Sequence, residues 1–386
     1  MILTIITFII VLGLLVFVHE LGHFIVARKL GVKAEEFGFG LPPRIIGFYK
    51  NSDEKWKKII GNKEAADAKG TVYSFNWLPL GGFVKIKGEN GENDNEQDSF
   101  TSRKIWQRAS ILSAGVTMNI IFAAALISFG FMIGMPQMAG DLSYGAAVSE
   151  KKIQIMDVLP ASRAEIAGIR LGDVIIGIDG TYFTSVEKLQ KFVDEKSGQE
   201  LKYKIRRGNE ELIFKVIPEK MKETGRSGIG VAISEIGLVR YPFFIAIWEG
   251  IKSTFLMIWA IIVAFYGLLK GIILGQGVSA DLAGPVGIAV ITGQVAKMGF
   301  IYILQFSAML SINLAIINFL PIPALDGGRI LFLAIEKIKG SPVKKELENI
   351  IHNIGFSLLM LLVLIVTLRD VAKFNDWFGG IWEKIF

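Results

Sequence analysis

The chain has 386 residues, 52% hydrophobic and 20% charged, with a mean hydropathy of +0.48. This excludes a soluble protein built round one large core and points to an integral membrane protein. Its formal net charge of +6 follows from Lys and Arg flanking membrane spans, so no nucleic-acid partner is expected. With no cysteine present, disulfides and thiolate metal sites are excluded, and a bound metal must use His and carboxylate ligands.

Residues 1–27 read as the first transmembrane helix. The stretch Ile2 to Val18 carries no charge, and it lacks the basic start and Ala-x-Ala site of a cleaved signal peptide. At its deep end stands His19-Glu20-Leu21-Gly22-His23. On a helix, residues four apart differ by roughly 40° around the axis, so His19 and His23 can aim both imidazoles at one ion. Glu20 is then placed to act as a base toward water on that ion. The pattern fixes only three positions and also occurs in soluble helices. Here it lies within a span, where ionisable groups are retained for function, and it uses two of the chain's three histidines. The third, His352, lies among Lys344, Lys345, Glu346 and Glu348 and reads as an ordinary interfacial residue.

Residues 35–90 switch to alternating aromatic and β-branched residues bounded by Gly and Pro, which predicts an inserted, membrane-associated β-hairpin region. Residues 89–99 form an acidic, solvated linker. A second transmembrane helix is predicted over 105–135. Residues 140–220 form the one block of soluble-domain size, with strands at IQIMDVL, DVIIGIDG, LKYKIRRG and ELIFKVIPE and a helix over Ser185 to Glu195. Within it, LPASRAEIAGIRLGDVIIGIDGTYF resembles a PDZ domain, an α+β module that can bind a peptide by strand addition.

Further apolar runs follow at Thr254 to Leu274, in a third transmembrane helix over 300–328 and in a fourth over 352–370. Basic clusters at Arg28, Lys29 and Lys33, at Arg103, Lys104 and Arg108, and from Arg329 to Lys345 should share the cytoplasmic side. A full crossing by Thr254 to Leu274 would put the last cluster outside. Residues 240–276 are therefore predicted to be interfacial or re-entrant. The fold class expected is membrane α-helical, with four transmembrane helices and an extracytoplasmic PDZ-like domain in a multi-pass inner-membrane protein.

A hydrolytic zinc normally takes three protein ligands. Asp326 is the candidate third: it follows an apolar run broken by Pro321 and Pro323, and Gly327 and Gly328 permit close backbone approach. Asn313 and Asn318 lie on the same segment, where buried amides need partners; both are candidates for contacting a substrate, with Asn318 better placed beside the proline break.

Four motifs together resemble the site-2 proteases, intramembrane zinc metalloproteases of the RseP type. They are His19-Glu20-Leu21-Gly22-His23, Gly81-Gly82-Phe83-Val84, Ala114-Gly115-Val116-Thr117-Met118-Asn119, and Asn318 through the Pro321 and Pro323 pair to Leu325-Asp326-Gly327. Relatives typically carry Pro where Val116 stands. The resemblance implies Zn²⁺ as cofactor and cleavage of single-span membrane proteins, such as anti-sigma factors already trimmed by another protease. It also implies a PDZ domain acting outside the cytoplasm as a size filter, and pairing of the hairpin region with substrate. Two rivals are a metal transporter, which needs more polar residues along a path, and a silent binding scaffold, which has no use for Glu20.

Overall fold

The computed structural model describes residues 2–65, 67–89, 96–138, 142–208, 210–221, 225–275 and 283–373. Residues 90–95 of the predicted acidic linker lie outside these. In chain order the elements are α1 (Ile2–Lys29), β1 (Ala34–Lys50), β2 (Trp56–Ile60), β3 (Val72–Ile86), α2 (Ile105–Ile133), β4 (Met135–Met138), β5 (Ala147–Val158), α3 (Arg163–Ile166), β6 (Val174–Ile178), β7 (Thr181–Tyr182) and α4 (Val186–Glu195). There follow β8 (Leu201–Arg207), β9 (Glu210–Val216), β10 (Glu219–Lys220), β11 (Ser227–Gly228), β12 (Val231–Arg240), α5 (Phe243–Ile273), α6 (Pro285–Met298), α7 (Phe300–Phe319), α8 (Asp326–Lys339) and α9 (Lys345–Lys373). They form two compact units, one of residues 1–127, 251–296 and 303–386, the other of 128–250 with 297–302.

In the first unit, α1 and α2 cross at small residues. A Cβ at Gly22 would stand 2.8 Å from the Ala114 carbonyl carbon, so only glycine admits this approach. The β region is larger than a hairpin: β1, β2 and β3 form a sheet in the order β2-β1-β3. Phe37 pairs with both Val84 and Tyr73, so the first half of β1 lies between the two halves of β3. The charged stretch after Lys50 supplies β2 because its Ile59 side chain joins Tyr49 and Val72 in a small core. The sheet leaves Trp56, Phe75 and Trp77 exposed.

Among the described residues, five helices are long and apolar enough to cross a membrane: Leu3–Lys29, Ile105–Ile133, Phe243–Ile273, Phe300–Phe319 and Lys345–Ala372. That is one more than the four spans expected. The extra one is α5, an unbroken helix of 31 residues, which overturns the re-entrant form predicted for 240–276; a re-entrant segment requires a reversal of the chain. The third predicted span is also shorter than 300–328. It ends at Phe319, because Pro321 and Pro323 lack the amide protons a helix needs, and Asp326 instead opens α8.

The second unit holds a sheet in the order β4-β12-β5-β6-β8-β9, with β7 on β6. The predicted block therefore extends beyond residue 220. Strand β12 was not evident locally; it is defined by antiparallel pairing with both β5 and β4. Helix α4 starts at Ser185, whose side chain caps the Lys188 amide, and it buries Leu189 and Val193 against Ile155, Ile178, Tyr203 and Ile205. Each such side chain contributes roughly 1.5–3 kcal/mol on burial. Arg207 holds the buried Asp173 carboxylate with two bonds, of 2.8 and 2.7 Å. That carboxylate beside it raises the pKa of the guanidinium. At the start of α7, Lys152 Nζ donates to Tyr302 Oη (2.9 Å).

Candidate metal centre

Three side chains that could hold a metal converge in the first unit. His19 and His23 share one face of α1, as their four-residue spacing requires, and both are buried. Asp326 is the first residue of α8, just after the turn that follows α7. The donor atoms form a near-regular triangle: His19 Nε2 to Asp326 Oδ2 is 3.0 Å, His23 Nε2 to Asp326 Oδ2 is 3.3 Å, and the two Nε2 atoms are 3.1 Å apart. Two ligand atoms each about 2.0–2.1 Å from a tetrahedral zinc stand roughly 3.3 Å apart. The triangle has the size of one face of such a site.

The surroundings set which ring nitrogens face the triangle. His23 Nδ1 donates to the Ile111 carbonyl of α2 (2.8 Å), which leaves Nε2 with its lone pair directed at the site. His19 Nδ1 lies 3.3 Å from the Asn119 amide. Asn119 is fully buried and its Oδ1 has no partner among the described residues. Turning that amide by 180° brings Oδ1 to His19 Nδ1, where it accepts the proton that ligation through Nε2 places there. The orphaned oxygen and the donor set therefore both fit a zinc ion held by neutral imidazoles and a carboxylate.

Space at the centre is set by glycine. A Cβ at Gly115 would lie 2.8 Å from His19 Nε2 and closer still to His23 Nε2. Helix α2 runs unbroken through Val116. Glu20 follows His19 on α1, with its Cβ and Cγ against Gly82 of β3. The Gly81-Gly82 pair thus allows β3 to pack directly on the turn of α1 that carries Glu20.

Of the two asparagine candidates, Asn318 reaches the cluster, with Nδ2 3.4 Å from His19 Nε2. Asn313, about 140° further round the helix, makes no hydrogen bond to the cluster among the described contacts. Asn119, Gly115 and the Ile111 carbonyl were missed as site residues. Asn119 alone carried a signal, being an amide inside a span; a backbone carbonyl carries none. His352, expected from its charged neighbours to be an ordinary interfacial residue, accepts at Nδ1 a hydrogen bond from the Ala324 amide (2.9 Å).

The model of "Peptidase family M50" matches residues 7–362. Over 96% of its length the chain is 31% identical to "Regulator of sigma-W protease RasP" of Bacillus subtilis, covering 98% of that protein. It is 30% identical to "Zinc metalloprotease RasP" of Geobacillus kaustophilus, again over 96% of this chain and 98% of the other. Among solved structures, a PDZ domain of an SdrC-like protein from Listeria monocytogenes matches 24% of the chain and 92% of its own length, at 21% identity and a TM-score of 0.20.

Proposed function

The chain belongs to peptidase family M50, and on that premise we propose that it is a zinc metalloprotease hydrolysing peptide bonds within the transmembrane segments of single-span membrane proteins, such as anti-sigma factors. The observation that carries this reading is the 3.0–3.3 Å triangle of two imidazole nitrogens and one carboxylate oxygen, next to Glu20 on a helix of membrane-crossing length.

His19, His23 and Asp326 would hold the ion, which when bound supplies Lewis-acid polarisation of the scissile carbonyl and activation of water. Glu20 takes a proton from the attacking water and returns it to the leaving amine. The water oxygen bonds to the carbonyl carbon, and the C–N bond breaks. Asn318 directs its amide toward the substrate backbone. Because a transmembrane helix has its amides bonded internally, the substrate must unwind first. The outer edge of Gly82–Ile86, which pairs only with β1 among the described strands, suits an added strand beside Glu20.

Four spans remain the preferred topology, in a multi-pass protein of the cytoplasmic membrane. Gly287 N–H donates to Asp370 Oδ2 (2.7 Å) and Gly293 packs on Thr4, which supports putting α6 at the end of α1 opposite Arg28 and Lys29. Along α5, Phe244, Trp248, Phe255, Trp259 and Tyr266 are all exposed and fall within about 60° of arc. Aromatic side chains distributed along a helix, rather than gathered at two ends, suit one lying in the interface. The PDZ-like unit follows α2, whose preceding basic cluster Arg103, Lys104 and Arg108 suits the cytoplasmic side, so an extracytoplasmic position is the reading for that unit. There its groove of about 310 Å³, between α4 and the chain from Ser227 to Ile233, is suited to a peptide.

The test uses the full chain in liposomes with a panel of tagged single-span proteins. Wild type should cleave within the span and stop when zinc is chelated. Glu20→Gln should keep its zinc and lose roughly 10²–10⁴-fold in rate. Wild-type cleavage rates in Glu20→Gln would reject the mechanism.

A further inference from the structure

Asp326 is held by a turn that its own residues do not favour. Ala324, two residues earlier, has φ +79°, a left-handed conformation that a residue with a Cβ keeps only when its surroundings impose it. Those surroundings come from α9. The Ala324 amide donates to His352 Nδ1 at 2.9 Å, and the Phe332 ring, with its centroid 5.4 Å away, packs against the imidazole. One helical turn further along α9, Gly355 meets Pro323 so closely that a Cβ there would stand 2.8 Å from the proline carbonyl oxygen. Consecutive residues of the turn are thus gripped by two residues on one face of α9.

Accepting the Ala324 proton requires a bare Nδ1, which places the proton of the neutral ring on Nε2. Nε2 is buried, lacks a hydrogen-bond partner among the described residues, and lies 4.0 Å from Glu348 Oε1. His352 is also among the residues lining a cavity of about 440 Å³, together with Arg108, Arg329 and Glu336. The ring therefore presents its acceptor nitrogen to the turn.

We propose that His352 is a positioning residue of the metal centre: by gripping Ala324 in its left-handed conformation, it aims Asp326 Oδ2 at the paired histidines. This rests on the metal-site reading above. It makes α9 part of the centre although no α9 side chain belongs to the ligand cluster.

The experiment loads the full-length chain, in detergent, with cobalt and with zinc, and reads the cobalt ligand-field spectrum and zinc affinity by chelator competition. His352→Leu should weaken zinc binding roughly 10–100-fold, as loss of an outer partner does, and alter the cobalt spectrum. His352→Asn, whose Oδ1 can accept at the position of Nδ1, should restore both to within a few-fold. Adding Ala324→Gly to His352→Leu should recover part of the loss, because glycine holds φ +79° unaided. A His352→Leu protein with wild-type spectrum and affinity would overturn the proposal, as would an Asn variant no better than Leu or no gain from the glycine. If the leucine variant fails to fold, the comparison of Asn with wild type decides. Wild-type protein that takes up no cobalt would instead overturn the metal site itself.

Discussion

The two halves of the proposed metal centre are built by opposite means. On α1 the proposed ligands follow from local geometry: four residues of unbroken helix bring His19 and His23 to one face, and the surroundings add the Ile111 and Asn119 contacts at the outer ring nitrogens. The Asp326 half has no such local template. Its turn contains two prolines, a left-handed alanine and two glycines where a Cβ would strike the backbone of residues 319–323. A helix can present ligands by itself, whereas a broken segment presents one only as firmly as its neighbours hold it.

The largest expected effect tests the contribution of the broken half. Asp326→Ala should reduce zinc affinity by more than the roughly 10–100-fold typical of outer-shell losses and abolish cleavage; metal analysis after dialysis checks it. Retained zinc with full activity would show that the helix half suffices. Gly115→Ala comes next, because its Cβ would intrude on both imidazoles. A loss of about tenfold or more in affinity is expected, with normal insertion and melting, since one methyl at a helix crossing must displace ligands held by second-shell bonds. The smallest effect should be Asn119→Leu, which removes only the partner of His19 Nδ1. About a tenfold loss of affinity is expected, measured by chelator competition, and an unchanged value would mean that α1 alone orients the ring.

The difference between the halves also explains what was legible. The histidine pair, the apolar helices and strands β5, β6, β8 and β9 follow repeating local patterns, with periods of 3.6 or 2. The three-stranded sheet was half legible, since its aromatic strands alternate while β2 lies in a charged stretch and forms only because Ile59 finds Tyr49 and Val72. Strand β12 escaped for the same reason. Its pairing partners lie far away in sequence, and its own alternation is weak. The unbroken course of α5 escaped because an apolar run of that length suits a crossing, an interfacial helix and a re-entrant loop alike, and charge parity discriminates only the first.

What the amino-acid sequence determined by itself was the chemistry available: two imidazoles and a carboxylate base at one helical face, an aspartate after a proline break, and apolar lengths matched to a bilayer. These depend on residue type and near-neighbour spacing, which the chain carries wherever it folds. Tertiary structure alone decided which oxygen completes the triangle, how Asn119 and the Ile111 carbonyl set the ring nitrogens, and that His352, read from sequence as unremarkable, grips the turn before Asp326. Those contacts join residues between 28 and 307 positions apart, and no local pattern encodes a meeting that only packing brings about.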